Sequence, residues 1–205
     1  MSIAVLFGLN YPGTSSALRG CANDVDNMAA YLKGKYGTIR KYKDIDPATR
    51  QYTTKSGMVR TLKSLAREAR NKRLSSVFIH YSGHGSYTRD RSGDEADGRD
   101  EALVPSDYRR AGLILDDELN SILTQFPSYT KVRIVMDCCH SGTIVDLPFN
   151  RVNPTSAITN TKKGKIRANC VMLSGCLDSQ TSADAYIHRS FSGALTTSLL
   201  EALRS

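Results

Sequence analysis

The stretch MDCCHSGT, Met136 to Thr143, sets two cysteines side by side between an aspartate and a histidine. A thiol in such company can be a metal ligand, half of a redox pair or a nucleophile. Structural zinc usually takes cysteines two to four residues apart, whereas Cys138 and Cys139 are adjacent and would point to opposite faces of a strand. A CxxC redox pair is absent. A nucleophile needs a base. His80 lies inside an apolar run and reads as core, but His84, in HYSGHGS, stands on a turn between Gly83 and Gly85, where the backbone can approach a substrate closely. Spacing of four aligns two histidine ligands only on a helix, and His80 to His84 is strand followed by turn.

The elements that must position these groups are legible as a rhythm. SIAVLFG (2–8), SVFIHYS (76–82), VRIVMDC (132–138) and NCVMLSG (169–175) are short, nearly continuous apolar runs, as buried parallel strands are. Between them Met58, Leu62, Leu65, Ala66 and Ala69 recur at helical spacing, and 24–33, 115–126 and 192–203 read as further helices. Alternation of this kind predicts an α/β fold, a mostly parallel central β-sheet flanked by helices on both faces. Ligands of such sheets sit beyond the carboxyl ends of the strands. His84, the cysteine pair and Ser174 to Asp178 all follow strand ends, so they are expected on one edge. Two stretches break the rhythm: 89–101, RDRSGDEADGRDE, reads as an acidic loop, and 147–167, with Pro148 and Pro154, as an exposed linker open to proteolysis.

At 205 residues, 40% apolar and 23% charged, the chain suits one ordinary globular domain. Its apolar runs are too short to span a membrane, and MSIAVLFGLN carries no basic leader, so a cytoplasmic protein is expected, with no membrane partner. Five cysteines, an odd number, favour free thiols over a disulfide framework. The net charge of +8 invites a nucleic-acid partner, but the cations are scattered and no aromatics interleave with them, so none is expected.

With HYSGHGS and DCCHSGT in that order on consecutive sheet strands, the chain resembles the metacaspases, within the caspase-like cysteine peptidases. The resemblance runs through LRGCANDV (18–25), GDEADGRDEALVPSDY (93–108), LDDEL (115–119) and LSGCLDSQTSADA (173–185). It implies a caspase-like fold over 1–205, with a large-subunit-like part (1–147), an exposed linker (148–168) and a shortened small-subunit-like part (169–205). The family nucleophile directly precedes His-Ser-Gly, which implies Cys139, with His84 as its general base and Cys138 as a neighbour. The backbone amides of Gly85 and Cys139 would form the oxyanion hole.

The same resemblance carries Cys21, Asp24, Ser82 and Asp137 into the pocket that reads the residue before the cut. Two carboxylates there would pair with a basic side chain, so cleavage after Arg or Lys is expected. Without that assignment, Asp24 reads as a favourable charge in the first turn of a helix. Between Arg89 and Glu101 lie six carboxylates, and calcium takes six to eight oxygen ligands. By resemblance to calcium-dependent metacaspases the ligands would be Asp100, Asp116, Asp117 and Asp146; otherwise Asp116 and Asp117 cap the helix that follows. Arg151, Lys162, Lys163, Lys165 and Arg167 in the linker match the expected specificity and are candidate self-cleavage points. The pro-region many family members carry is not expected, and a monomer is, with a partner chain over the short C-terminal edge as the alternative. The expected activity is a calcium-dependent cysteine endopeptidase; the alternatives are a weak or inactive scaffold or regulator of the same family, a calcium-binding module and a nucleic-acid-binding domain.

Overall fold

The computed structural model describes residues 1–89, 99–138, 149–153, 156–159, 166–175, 184–187 and 190–204. Its centre is a five-stranded sheet built from β1 (Ser2–Gly8), β2 (Thr38–Lys43), β3 (Ser76–Ser82), β7 (Lys131–Asp137) and β10 (Asn169–Ser174). The order is β10-β7-β3-β1-β2 and every pairing is parallel. The four apolar runs of the sequence are therefore the four strands from β10 to β1.

Strand periodicity divides the core between two faces. Ile3, Val5 and Phe7 of β1 pack with Met58, Leu62, Leu65, Ala66 and Ala69 of α2 (Lys55–Asn71) and with Leu119, Ile122 and Leu123 of α4 (Asp116–Leu123). Ala4 and Leu6 face the other way, onto Val25, Met28 and Leu32 of α1 (Cys21–Leu32) and Leu200 of α5 (Ala194–Arg204). Each buried Leu or Phe contributes roughly 1.5–3 kcal/mol, so both helix layers are held mainly by these stripes. α2 starts at Thr54, whose Oγ1 accepts from the Gly57 N–H at 3.1 Å and satisfies one of the first turn's open donors.

Strand β2 is missed by apolar pattern alone: TIRKYK carries three cations in six residues. It is an edge strand, where charge is tolerated and discourages unwanted pairing. Arg40 holds it to α2 through a bidentate pair with Glu68 (2.7 and 2.9 Å), which brings the Glu68 carboxyl down to about 2.

The stretch expected as a loop over 89–101 is strand at both ends: β4 (Gly85–Arg89) pairs antiparallel with β5 (Arg99–Leu103), which pairs with β6 (Ile114–Leu115). Antiparallel ladder bonds override the polar composition there, and the six residues of TIRKYK show the same effect in the main sheet. A short helix, α3 (Tyr108–Ala111), follows β5. In the segment read as a linker, β8 (Phe149–Asn153) and β9 (Ser156–Thr159) form an antiparallel pair. β11 (Asp184–Ile187) and β12 (Ser190–Gly193) form another, leading into α5. No helix among the described residues is long and apolar enough to cross a membrane.

Candidate active site

Parallel register brings three strand ends together. Gly8 of β1 pairs with Ser82 of β3, and Ser82 with Asp137 of β7. α1 begins directly above. A Cβ on Gly8 would overlap the Cys21 carbonyl and lie 2.7 Å from a Val25 methyl, so only glycine lets the helix N-terminus sit on the end of β1. That placement delivers Asp24, buried, to the Ser82 hydroxyl, which donates to its Oδ2 at 2.6 Å. Cys21, the first residue of the helix, is also buried.

Gly193, at the end of β12, lies against both carboxylates. Its N–H donates to Asp24 at 3.0 Å, and a Cβ there would overlap Asp137 Oδ2. Asp137 Oδ2 in turn accepts from the Thr196 N–H of α5 at 2.7 Å. Three of the four residues expected in a specificity pocket, Asp24, Ser82 and Asp137, therefore meet at one point, with Cys21 one helical turn from Asp24. Two buried carboxylates side by side repel; the amide donors of the α5 start and the Ser82 hydroxyl offset this. In this arrangement, however, the acids face backbone amides of their own chain.

His84 follows β3 directly. Its Nε2 lies 2.7 Å from the Ser16 carbonyl oxygen. A carbonyl only accepts, so Nε2 carries the hydrogen and, in the neutral ring, the lone pair is on Nδ1. The ring rests against Tyr11, centroids 4.9 Å apart, and the Tyr11 hydroxyl accepts from the His84 N–H (2.9 Å) while donating to the Val104 carbonyl (2.7 Å). The Tyr81 hydroxyl donates to the His84 carbonyl at 2.7 Å. Burial pushes both phenols up, so they stay protonated donors. Ser16, Tyr11 and Tyr81 were not singled out by sequence; Ser16 acts through a backbone carbonyl, which residue type does not signal.

His80 behaves as its apolar setting predicts. It is buried, and desolvation lowers its pKa to about 3, so it is neutral; its Nε2 meets the Thr196 hydroxyl at 3.1 Å. Cys138 is also fully buried, within the core under α2 and α4. Cys139 lies outside the described residues. The Val104 N–H donates to the His84 carbonyl at 3.2 Å, which makes Gly85 and Leu103 the non-hydrogen-bonded kind of antiparallel pair. The Gly85 N–H is thereby directed away from β5.

Of the expected calcium ligands, Asp100 and Asp116 are buried and Asp117 is exposed; Asp146 lies outside the described residues. Asp116 accepts from the Glu101 N–H (2.9 Å) and from the Asp117 N–H (2.8 Å), so it sits beside Asp100 on β5. Carboxylate donors suit a hard cation. Among the described residues no group of three or more His, Cys, Asp or Glu side chains converges as a metal site. The fit therefore extends to donor type and to two buried carboxylates, Asp100 and Asp116. In the linker, Lys162, Lys163 and Lys165 lie outside the described residues, the backbone of Arg151 is in β8, and Arg167 is exposed.

Residues 3–148 match the family model for the metacaspase, peptidase C14 domain. A metacaspase-1B of Aspergillus oryzae is 34% identical over 254 residues, covering 98% of this chain and 60% of that protein. A metacaspase-2 of Trypanosoma brucei brucei is 36% identical over 195 residues, covering 88% and 55%. The chain thus spans about 60% or less of the length of these curated relatives. A crystal structure of a Geobacter sulfurreducens protein superposes with a TM-score of 0.70 at 28% identity, covering 99% of this chain and 82% of that one.

Proposed function

The chain belongs to the metacaspase family, and from that membership we propose that it is a cysteine endopeptidase cutting after Arg or Lys, with Cys139 as nucleophile and His84 as base. The observation that carries the reading is the His84 ring, held through Nε2 on the Ser16 carbonyl at the carboxyl edge of the sheet. This leaves Nδ1 to take the proton from the Cys139 thiol, whose thiolate attacks the scissile carbonyl. The N–H groups of Gly85 and Cys139 bind the oxyanion, and the His84 imidazolium then protonates the leaving amine. Water, deprotonated by His84, releases the acyl group from Cys139.

Specificity for a basic side chain is supported by the meeting of Asp24 and Asp137 beside Ser82. A guanidinium or ammonium would have to take the place of the Gly193 and Thr196 amides there. Asp100, Asp116, Asp117 and Asp146 would hold calcium, which supplies charge neutralisation and order to the loops around the cleft. Self-cleavage would fall at Arg151, Lys163, Lys165 or Arg167. The working form is a cytoplasmic monomer acting on protein substrates.

The same closed carboxylates favour a second reading, a catalytically weak or inactive family member acting as a scaffold or regulator. Short fluorogenic peptides ending in Arg, Lys or Asp, assayed with calcium and with chelator, separate the two. Wild type should cut the Arg and Lys peptides only with calcium, and Cys139→Ala should lose at least 1,000-fold, in line with the loss of a nucleophile from a catalytic unit. No cleavage with calcium present favours the second reading. Cleavage after Asp removes the pocket assignment, and activity lost in Cys138→Ala but kept in Cys139→Ala reverses the nucleophile assignment.

A further inference from the structure

On the flank of the molecule, between the edge strand β2 and α2, lies a groove of about 570 Å³ that shares no residue with the candidate active site. Arg40, Arg60, Lys63 and Arg67 line it, with Tyr42 and Tyr52. From this construction we propose that the groove docks an acidic polypeptide segment.

Arg60, Lys63 and Arg67 are spaced i, i+3, i+7, which places them on one face of α2, and all three are exposed. Like charges in such a row repel and weaken the helix that carries them. Nothing in the described fold compensates: Arg60, Lys63 and Arg67 make no ion pair among the described residues. Glu68, which follows Arg67 on α2, is taken by Arg40 at 2.7 and 2.9 Å and by Lys72 at 2.9 Å. Three cations without an ion pair among the described residues are thus gathered at one concave surface, and an anionic ligand would relieve their repulsion.

The floor is rigid. A Cβ on Gly57 would overlap the Gln51 carbonyl, so glycine there lets the Arg50–Tyr52 turn close onto α2. Tyr52 stacks on Tyr42 (centroids 4.7 Å apart), and Tyr42 stacks on Phe7 of the core (5.4 Å).

The dimensions and chemistry select the ligand. Arg60 to Arg67 spans roughly 10 Å of helix, the length of about three extended residues. β2 ends the sheet, and no strand among the described residues pairs with its outer edge, so an extended segment can run alongside it. Single-stranded nucleic acid binds by stacking successive bases on open ring faces; the Tyr42 ring is packed between Phe7 and Tyr52, so Tyr52, 37% exposed, is at most a single platform, too little for a run of bases.

The test reads binding alone, on Cys139→Ala protein, so its outcome is independent of peptidase activity. Fluorescein-labelled hexaglutamate is titrated and followed by anisotropy, with hexalysine and hexathymidylate as comparison probes. Saturable hexaglutamate binding is expected, weakened at least tenfold in Lys63→Gln/Arg67→Gln and abolished in Arg60→Glu/Lys63→Glu/Arg67→Glu. Thermal unfolding checks that both variants fold, and the milder pair keeps the test valid if the triple variant does not. Affinity unchanged in Lys63→Gln/Arg67→Gln, or hexathymidylate binding more tightly than hexaglutamate, overturns the proposal.

Discussion

The proton on the His84 ring is located by a backbone atom. Because the Ser16 carbonyl at 2.7 Å can only accept, Nε2 must donate, and the basic lone pair goes to the other side of the ring. The ring's place depends further on one phenol: the Tyr11 hydroxyl takes the His84 N–H and gives to Val104. Tyr11→Phe keeps the ring contact and deletes the hydroxyl's bonds to His84, Val104 and Tyr81; the His84 N–H loses its acceptor, while the Val104 carbonyl keeps the Tyr81 hydroxyl at 3.1 Å. A loss of about 1–3 kcal/mol in unfolding free energy is expected, checked by urea denaturation. If His84 is the base, the kcat for an Arg peptide should fall while KM holds, because Tyr11 positions His84 and does not line the acidic pocket. A fall in stability with kcat unchanged would mean that Tyr11 only supports the fold. The residue pattern had already separated His84 from His80 by their flanking residues; that a tyrosine from the β1 exit and a main-chain carbonyl hold the ring was not readable, since both arrive from more than sixty positions away.

His80 shows what one side chain does between elements. It joins β3 to α5 through Thr196, and burial lowers its pKa to about 3 from 6.5. With the folded value below the unfolded one, the stabilisation is fully present above pH 6.5. It drains away as pH falls toward 3, because the unfolded chain takes up a proton the folded chain refuses. One such group sets a limiting slope of about 1.4 kcal/mol per pH unit. His80→Gln keeps a partner for Thr196 without the titration. Its urea midpoint should vary less than that of wild type between pH 6.5 and 4; equal slopes would mean His80 titrates normally in the fold. At this same scale the apolar runs marked four of the five sheet strands and the helical spacings marked α1, α2, α4 and α5. β2, β4 and β5 escaped because ladder pairing, not side-chain pattern, makes TIRKYK and the flanks of the acidic stretch into strands.

Across the whole molecule, residues near the two ends of the chain close one site. Asp24 and Asp137 meet Gly193 and Thr196, so α5 is docked on the carboxylates as well as on the apolar face shared with α1. Gly193→Ala puts a methyl onto Asp137 Oδ2 and near Asp24 Oδ2, and both acids are buried and hydrogen-bonded where they stand. A loss of about 1–3 kcal/mol is expected, the usual cost of overpacking. Gly175→Ala meets Leu195 at 3.1 Å and should cost less. Differential scanning calorimetry of the two variants decides it; equal melting temperatures would show that α5 does not need the close approach.

Local chemistry in the sequence was enough for the α/β class, the placement of the histidine and cysteine motifs after strand ends, and membership in the metacaspase family. Strand apolarity, helical period and glycine-flanked histidine are properties of neighbouring residues, and each is present before the chain folds. Which ring nitrogen of His84 is basic, that Asp24 and Asp137 share Gly193, and that Arg40, Arg60, Lys63 and Arg67 surround one groove were decided only by the tertiary structure. These are relations between residues far apart in the chain, and they exist only once parallel register and helix packing have set the distances.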